Sequence, residues 1–353
     1  MHEEKSVLVS ENTLQNFCRQ SLEKSGLSEK DAEFVADTLV KTEMMGVSSH
    51  GVVRLPFYCK RLIDRGTKTH PEIKILVEKP AVLLIDGDNG LGQIVSIRAM
   101  KKAMEKAKSF GICFAGVKNS CHFGMAAYYA MLALEERMIG MAGTNAPPVM
   151  AAWGGYKSVI GANPLAVAVP TAKEYPLVLD ISMSVVARGK VALAAVNKEK
   201  VPSGWILDSR GRPTDNPEDL LSGGTLLPLG HKGYGLAIII EILSGVLTGA
   251  GILSEMAIWF KETTIPINTG HFFVAMDVKA FCDIGVFEER TNRMINELKN
   301  SPLSEGSKGI FMPGEIEFLR LRACKKRGVP ISLEVLTNLN VFASEIGIRK
   351  LTS

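Results

Sequence analysis

Glycine is plentiful in this sequence, but it never occurs at the spacings of the common nucleotide-binding loops. No G-x-G-x-x-G motif is present, because the nearest stretches, GDNGLG at 87–92 and GHKGYG at 230–235, place their glycines differently. The motifs G-x-x-x-x-G-K-[ST], H-E-x-x-H and G-x-S-x-G are also missing, as is a tyrosine followed four residues later by a lysine. These absences argue against a standard dinucleotide fold, a P-loop enzyme and a serine nucleophile elbow.

An excess of charge of one sign is missing as well. The chain has 41 basic and 37 acidic residues and a net charge of +4, so nucleic acid is not indicated as a partner. Its six cysteines include no C-x-x-C pair, which is typical of reduced thiols in a cytoplasmic protein. The N-terminal stretch MHEEKSVLVSEN lacks the apolar segment of a secretory signal.

The longest apolar stretch, GYGLAIIIEILSGVLTGAGIL at 233–253, carries Glu241 near its centre and is interrupted by glycines. No aromatic or basic flank follows it, so it predicts a buried helix and no membrane partner. An unpaired carboxylate in an apolar interior is costly. We therefore expect Glu241 to be buried with hydrogen-bond partners.

What the chain does contain is ordinary globular composition, with 353 residues of which 46% are apolar. This length allows two or three domains, or one large domain with appendages. Strand candidates alternate with helix candidates in the middle of the chain, which predicts an α/β fold with a large mixed sheet flanked by helices. Helices are also expected in the first fifty residues and in the C-terminal third, and a loose surface excursion is expected at 201–224.

Hydroxyl, imidazole, guanidinium and phenol groups stand close together in SSHGVVRLPFY at 48–58. Arg54 lies one helical turn after His50, and Tyr58 lies another turn on, so the three can share a surface. An arginine fork is the usual device for binding a carboxylate through two hydrogen bonds. The alternative is that His50 caps a helix end and Arg54 is an ordinary surface charge.

A second histidine, His122 in NSCHFG, follows the apolar strand candidate ICFAGV and precedes a helix. It therefore lies at the carboxyl end of a strand, where α/β proteins build their sites. An imidazole there can move a proton near neutral pH, although a structural loop histidine is the alternative. We ask whether this histidine and the 48–58 stretch belong to one active site.

Two other stretches are suited to anions. LDISMS, around Asp180, ends a strand candidate with successive backbone amides and hydroxyls that could receive phosphate oxygens. GHKGYG places Lys232 just before the long apolar helix, where its charge and the free amides of the helix start could bind an anion. A plain helix-start turn is the alternative for Lys232.

Nine segments in chain order carry a family resemblance: SHGVVRLPFY, NSCHFG, TNAPPVMAAWGG, GANPLAVAVP, LDISMS, VPSGWILDSRGRPT, LPLGHKGYGLAIIIEILSGVLTGA, GHFFVAMD and MPGEIEFLR. Together they resemble the malate/L-lactate dehydrogenase family, which also contains ureidoglycolate dehydrogenase, diketogulonate reductase, sulfolactate dehydrogenase and cyclic-imine 2-carboxylate reductases. The resemblance extends from about Ser10 to Ile346. It implies a non-Rossmann nicotinamide-binding fold of the sulfolactate dehydrogenase type, in agreement with the missing glycine motif.

The resemblance also implies an activity and a set of site residues. The activity is hydride transfer between NAD or NADP and carbon 2 of a small 2-oxo or 2-hydroxy acid, such as malate, lactate or sulfolactate. Ureidoglycolate, diketogulonate or a cyclic imino acid are alternative substrates. The implied catalytic residues are His122 and His50, and the implied substrate-binding residues are Ser49, Arg54 and Tyr58. The implied cofactor-binding residues are Thr144, Asn145, Ala146, Asp180, Ile181, Ser182, Met183, Ser184, Lys232, Gly233, Gly314 and Glu315.

By the same resemblance we expect a homodimer, with each chain in three parts, and the missing ligand spacing predicts that no metal is used. Residues 1–75 would form a helical segment, 76–310 the nicotinamide-binding and catalytic α/β region, and 311–353 helices that return to the first part. Two other classes of protein are considered. One is a zinc hydrolase using His50, His122 and Cys121, which lacks a helical ligand pair. The other is a non-catalytic ligand-binding relative, which would be expected to have lost the histidine or the arginine.

Two segments depart from the pattern of the family. The segment after LDISMS, at 185–205, is shorter or altered relative to many relatives, and EMAIWFKETTIPINTGH at 255–271 is less polar. Both are expected to reshape the substrate pocket. They leave the identity of the substrate open.

Overall fold

The computed structural model describes residues 6–196 and 198–352. Its helices alternate with strands in the middle of the chain and dominate both ends, as the sequence predicts. The helices are α1 Glu11–Lys24, α2 Glu29–Met44, α3 Leu55–Ile63, α4 Gly92–Phe110, α5 Ala126–Leu132, α6 Arg188–Val196, α7 Glu218–Leu221, α8 Gly230–Glu241, α9 Ile284–Lys299, α10 Glu315–Arg327 and α11 Leu333–Ile346.

The strands form one large sheet and two smaller ones. The large sheet has seven strands in the order β2-β3-β4-β13-β5-β8-β9. The strands are β1 Ser6–Val9, β2 Lys74–Lys79, β3 Val82–Asp86, β4 Ile112–Ser120, β5 Met138–Thr144, β6 Met150–Ala151, β7 Ser158–Ile160, β8 Leu165–Val169, β9 Leu177–Ile181, β10 Ile206–Leu207, β11 Pro213–Thr214, β12 Thr225–Leu226, β13 Thr269–Asp277 and β14 Val329–Ser332.

Serine side chains set the starts of three helices. Ser10, Ser28 and Ser332 precede α1, α2 and α11, and each hydroxyl accepts a hydrogen bond from the backbone N–H three residues later. Such caps satisfy one of the amides that a helix start leaves without a partner, typically worth about 1 kcal/mol. The starts of α1 and α2 are therefore encoded locally, which is why the sequence alone predicts them.

The large sheet is mixed, and its pairing places several strand ends at one edge. β13 runs antiparallel to both β4 and β5, so β4 and β5 point the same way. β8 runs antiparallel to β5 and to β9, so β9 also points with β5. The carboxyl ends of β4, β5 and β9, at Ser120, Thr144 and Ile181, therefore share an edge. His122 and the segments after Thr144 and Ile181 follow from those ends.

The 201–224 segment is more ordered than the sequence predicts. It contributes β10 and β11 to a five-stranded sheet in the order β11-β10-β12-β6-β7, and α7 follows. Ile206 and Leu220 are buried in the apolar cluster below that sheet. The expectation of a loose surface excursion was therefore wrong. The two strands have only two residues each, which is too few to show an alternating pattern in the sequence.

The two ends of the chain lie together. β1 pairs antiparallel with β14, with Ser6 opposite Ser332 and Val9 opposite Val329. One apolar cluster contains residues from α1, α2, α3, α10, β14 and α11, and among its fully buried side chains are Leu14, Leu22 and Leu39. This cluster fixes α3 and the turn before it, which carry part of the candidate site.

Helix α8 is buried on one face only. Glu241, at its end, is 5% exposed and accepts hydrogen bonds from Asn145, Asn163 and the Leu253 backbone, which confirms the expectation for this carboxylate. The opposite face exposes apolar side chains, so the predicted buried helix is buried on one face within a single chain. Among the described residues, no helix is both long and apolar enough to cross a membrane.

Candidate active site

The two histidine-containing stretches meet in one site. Residues 48–50 form a short 3-10 turn after α2, and His122 follows the end of β4. The rings of His50 and His122 stack with their centroids 5.5 Å apart. The Ser49 hydroxyl is 2.9 Å from Nδ1 of His50, which fixes the orientation of that ring.

A buried carboxylate holds the turn that carries His50. Oε2 of Glu43, in α2, accepts a hydrogen bond of 3.0 Å from the backbone N–H of Val52. A Cβ atom at Gly51 would lie 2.1 Å from the same oxygen, so a larger residue there would displace the Glu43 carboxylate. Burial raises the pKa of the Glu43 carboxyl. Sequence reasoning missed Glu43 because it appears as one more acidic residue in an amphipathic helix.

His122 is held on two sides. The hydroxyl of Tyr58, which is fully buried, is 2.6 Å from Nδ1 of His122. The indole of Trp259 stacks on the imidazole with centroids 4.3 Å apart and an angle of 12° between the planes. Because Nδ1 is engaged by Tyr58, Nε2 is the nitrogen left for a reacting group. The resemblance put Tyr58 at the substrate, whereas its hydroxyl contacts His122.

The local environment keeps both imidazoles neutral at neutral pH. Burial lowers the pKa of His50 to about 4, with a further contribution from the Arg54 charge. Burial also lowers the pKa of His122 well below its ordinary value, and the neighbouring His50 and Arg54 act in the same direction. A neutral His122 is a ready proton acceptor, and an incoming anion would counter these effects and make it a proton donor.

Arg54 also lies near the Trp259 ring. Its Nε donates a hydrogen bond of 2.7 Å to the Ser49 carbonyl, and its guanidinium carbon is 5.6 Å from the centroid of the Trp259 ring. Anchoring through Nε leaves the terminal N–H groups free to face a ligand. The arrangement is suited to binding a carboxylate within reach of His122.

Trp259 itself is positioned by a buried arginine that sequence reasoning also missed. Arg61 lies one turn after Tyr58 in α3 and is completely buried. Its guanidinium donates five hydrogen bonds, to the carbonyls of Gly66, Trp259, Glu262 and Ile265 and to the Thr67 hydroxyl. Nothing in the sequence marks Arg61 directly. The one indirect sign is that the 255–271 segment, which contains Trp259, departs from the family pattern.

A buried histidine joins β4 to β5 below the site. His271, on β13, is 2.7 Å from the Thr144 hydroxyl through Nδ1 and 2.8 Å from the Ser120 hydroxyl through Nε2. Burial lowers its pKa to about 3, so the ring is neutral. Thr144, one of the proposed cofactor residues, is thereby tied to the strand end that precedes His122.

The other residues after β5 are fixed by an amide network. Asn145 bonds to the Gly251 carbonyl and to the Gly270 N–H, and the N–H of Ala146 donates to the side-chain oxygen of Asn163. Both asparagines also donate to Glu241. The Glu241 carboxylate lies in an otherwise apolar helix because it accepts these hydrogen bonds. The network orders the segment after Thr144.

The Asp180–Ser184 segment lies beside the start of α8. The N–H of Leu229 donates to the Met183 carbonyl, and a Cβ at Gly233 would lie 3.2 Å from that same oxygen. Asp180 itself accepts from the Ala127 N–H at the start of α5. The hydroxyls of Ser182 and Ser184 are 3.1 Å apart, and Ile181 ends β9 just before them.

The start of α8 is open to an anionic ligand. Lys232 is exposed, and at Gly230 and Gly235 no atom lies within 4 Å of where a Cβ would be, so the surface is open to a ligand. The first amides of a helix have no partner within the helix and favour phosphate oxygens. Lys232 and the first amides of α8 could therefore hold the phosphates, whereas the buried Ser184 hydroxyl donates to the Val186 carbonyl.

Gly314 and Glu315 lie beside β9. Gly314 packs against Val178, three residues before the end of β9. Glu315 accepts hydrogen bonds from the Lys299 ammonium and from the Met312 N–H. Its carboxylate is therefore already engaged within the protein.

Known proteins resemble this chain over nearly its whole length. A family model described as malate/L-lactate dehydrogenase matches residues 9–340. The chain is 41% identical to malate dehydrogenase of Pyrococcus abyssi, over 99% of this chain and 98% of that protein. It is 38% identical to L-sulfolactate dehydrogenase of Methanocaldococcus jannaschii, over 93% and 94% of the two chains.

The fold resembles solved structures equally well. The structure of malate dehydrogenase from Pyrococcus horikoshii OT3 matches with a TM-score of 0.92 and 38% identity, covering 99% of this chain and 98% of that one. More distant relatives have names that specify NAD(+) or NADP(+).

Proposed function

The chain belongs to the malate/L-lactate dehydrogenase family and is an NAD(P)-dependent oxidoreductase, and from this premise we propose its reaction. It reduces the 2-oxo carbon of a small 2-oxo acid, and in the reverse direction it oxidises the 2-hydroxy acid. The proposal depends on one observation: the His122 imidazole and the Arg54 guanidinium both lie against the indole ring of Trp259.

Arg54 binds the substrate carboxylate. Its terminal N–H groups match the two carboxylate oxygens, and its Nε bond to the Ser49 carbonyl keeps the fork in one orientation. His50, held by the Ser49 hydroxyl, is placed to hydrogen-bond the substrate beside His122. Holding the acid in one pose lowers the entropic part of the barrier.

His122 transfers the proton through Nε2. A reduced nicotinamide, when bound, would supply the hydride for the 2-oxo carbon. His122 gives its proton to the oxygen, so that the carbonyl becomes a hydroxyl. In the oxidative direction the neutral imidazole takes that proton back. The Tyr58 hydroxyl can donate to Nδ1 or accept from it, so it supports both tautomers of the ring.

The experiment is a substrate and cofactor screen combined with two substitutions. Pyruvate, oxaloacetate, sulfopyruvate, diketogulonate and a cyclic imino acid are tested for reduction, and ureidoglycolate for oxidation, with NAD and NADP. His122→Ala should lower turnover by roughly two to four orders of magnitude while NADH binding, followed by fluorescence, survives. His70→Ala, which removes an exposed histidine, is the matched control. Near-normal turnover in His122→Ala would contradict the assignment.

We further propose that the chain is a homodimer in the cytoplasm, with α8 in the contact. Apolar side chains on the outer face of α8 and the turn after it are about half exposed: Leu229, Leu236, Ile239, Ile242, Val246 and Leu247. A contiguous apolar face of this kind is typical of a protein contact, and a second copy offers the same face. Val246→Lys should produce a monomer in sedimentation, whereas Leu298→Lys, on exposed α9, should not. A fully active wild-type monomer would contradict the proposal.

A further inference from the structure

A second arginine lies next to the aromatic pair of the site. Arg188, the first residue of α6, has its guanidinium carbon 5.9 Å from the centroid of the Phe260 ring. Phe260 meets Trp259 edge to face, with centroids 5.7 Å apart. Arg54 lies over Trp259 and Arg188 over Phe260, so two guanidinium groups stand on adjacent rings. Arg188 is one ring further from His122.

The start of α6 is also in contact with the turn that carries the substrate residues. A Cβ at Gly189 would lie 3.5 Å from the Cβ of Ser49. The Ser49 carbonyl anchors Arg54 and the Ser49 hydroxyl holds His50. Two independent contacts, through Phe260 and through Ser49, therefore place Arg188 at the rim of the same site.

Neither guanidinium has an acidic partner within the described ranges. Thirteen ion pairs between a cation and a carboxylate form within these ranges, and none of them includes Arg54 or Arg188. Arg188 is only partly exposed. Two neighbouring cations without counter-charges repel each other, and a ligand with two anionic groups would relieve both.

We propose that Arg188 determines substrate selectivity by binding the second anionic group of a dianionic 2-oxo acid whose first carboxylate pairs with Arg54. The inference rests on the proposed function. The second group is a carboxylate or a sulfonate on the carbon next to the carbonyl. Both present oxygens to an arginine fork in the same way. A 2-oxo acid with a single charge makes no use of Arg188.

The test compares substrates of one and two charges in matched variants. kcat/KM is measured for oxaloacetate, sulfopyruvate and pyruvate with wild type, Arg188→Met and Lys190→Met. Lys190 is exposed on the same helix and controls for the loss of one positive charge. Arg188→Met should lower kcat/KM for both dianions by about 30- to 100-fold, as expected for one charge-assisted contact, and change pyruvate reduction by less than about threefold. Lys190→Met should change none of them appreciably.

Several outcomes would overturn the proposal. An equal loss for pyruvate and the dianions would make Arg188 a general structural or electrostatic residue. A raised KM for NADH or NADPH with unchanged selectivity would assign it to the cofactor. If pyruvate is reduced too slowly to measure, inhibition by singly charged oxamate gives the same comparison. If wild type reduces none of the acids, the proposed function fails as well, whereas unchanged selectivity in an active enzyme overturns only this inference.

Discussion

Replacing Arg61 by lysine tests how firmly the 259–265 segment holds Trp259 over His122. The guanidinium uses all five of its N–H groups on buried or partly buried oxygens, three of which are the carbonyls of Trp259, Glu262 and Ile265. A lysine ammonium has three donors, so at least two of those oxygens lose their partner. A buried acceptor without a partner costs about 1–3 kcal/mol. We therefore expect the closed state of the segment to lose about 3 kcal/mol.

The assay follows local opening of that segment. Lys261 is exposed and lies within it, so trypsin should cleave there when the segment opens. A loss of about 3 kcal/mol corresponds to roughly a 100-fold rise in the open population, since 1.4 kcal/mol is a factor of ten. Arg61→Lys should therefore be cut at Lys261 about 100 times faster, with kcat/KM reduced at least about tenfold because Trp259 no longer orients His122.

The matched control is Arg65→Lys, the same substitution at an exposed arginine one turn further along the chain. It should leave both the cleavage rate and kcat/KM unchanged. Cleavage of Arg61→Lys at the wild-type rate, or rapid cleavage with full activity, would refute the reasoning. The first result would show that Arg61 does not hold the segment, and the second that His122 does not need Trp259.

Two further predictions concern His122. Burial, His50 and Arg54 all lower the pKa of His122. The value of kcat/KM for hydroxy-acid oxidation should therefore be full at neutral pH and fall as the pH drops through a midpoint below 6.5. The value of kcat/KM for 2-oxo acid reduction should rise as the pH falls. A pH–rate profile checks this, and an oxidation midpoint above pH 7 would contradict it. Tyr58→Phe removes the partner of Nδ1 and should lower kcat about 10- to 100-fold with little change in KM. A raised KM with unchanged kcat would instead put Tyr58 in contact with the substrate.

Short-range features of the sequence predicted most of the fold. Capping serines marked the starts of α1 and α2, and apolar strands of five to nine residues marked β3, β4, β8, β9 and β13. These signals are local, because a cap or a periodic stretch depends only on residues a few positions apart. The two-residue strands of the small sheet carry no such signal and could not be predicted.

The candidate site was only partly visible in the sequence. His50, Arg54 and Tyr58 stand within nine positions, so their spacing predicted a shared surface. Their contact with His122 depends on how α3 and the turn before it pack against the segment after β4, with Tyr58 and His122 64 positions apart. Such long-range packing is not recorded in the local sequence.

The residues that hold the site were determined by tertiary structure alone. Arg61 looks like a surface cation in an amphipathic helix, yet it is buried because a segment 198 to 204 positions later supplies three of its acceptors. Trp259 comes to His122, and Arg188 to Phe260, through the same folding of distant segments. The sequence by itself determined which chemical groups are available and where helices and strands begin. Only the tertiary structure decided which groups meet, because burial and hydrogen-bond partners are properties of the packed chain.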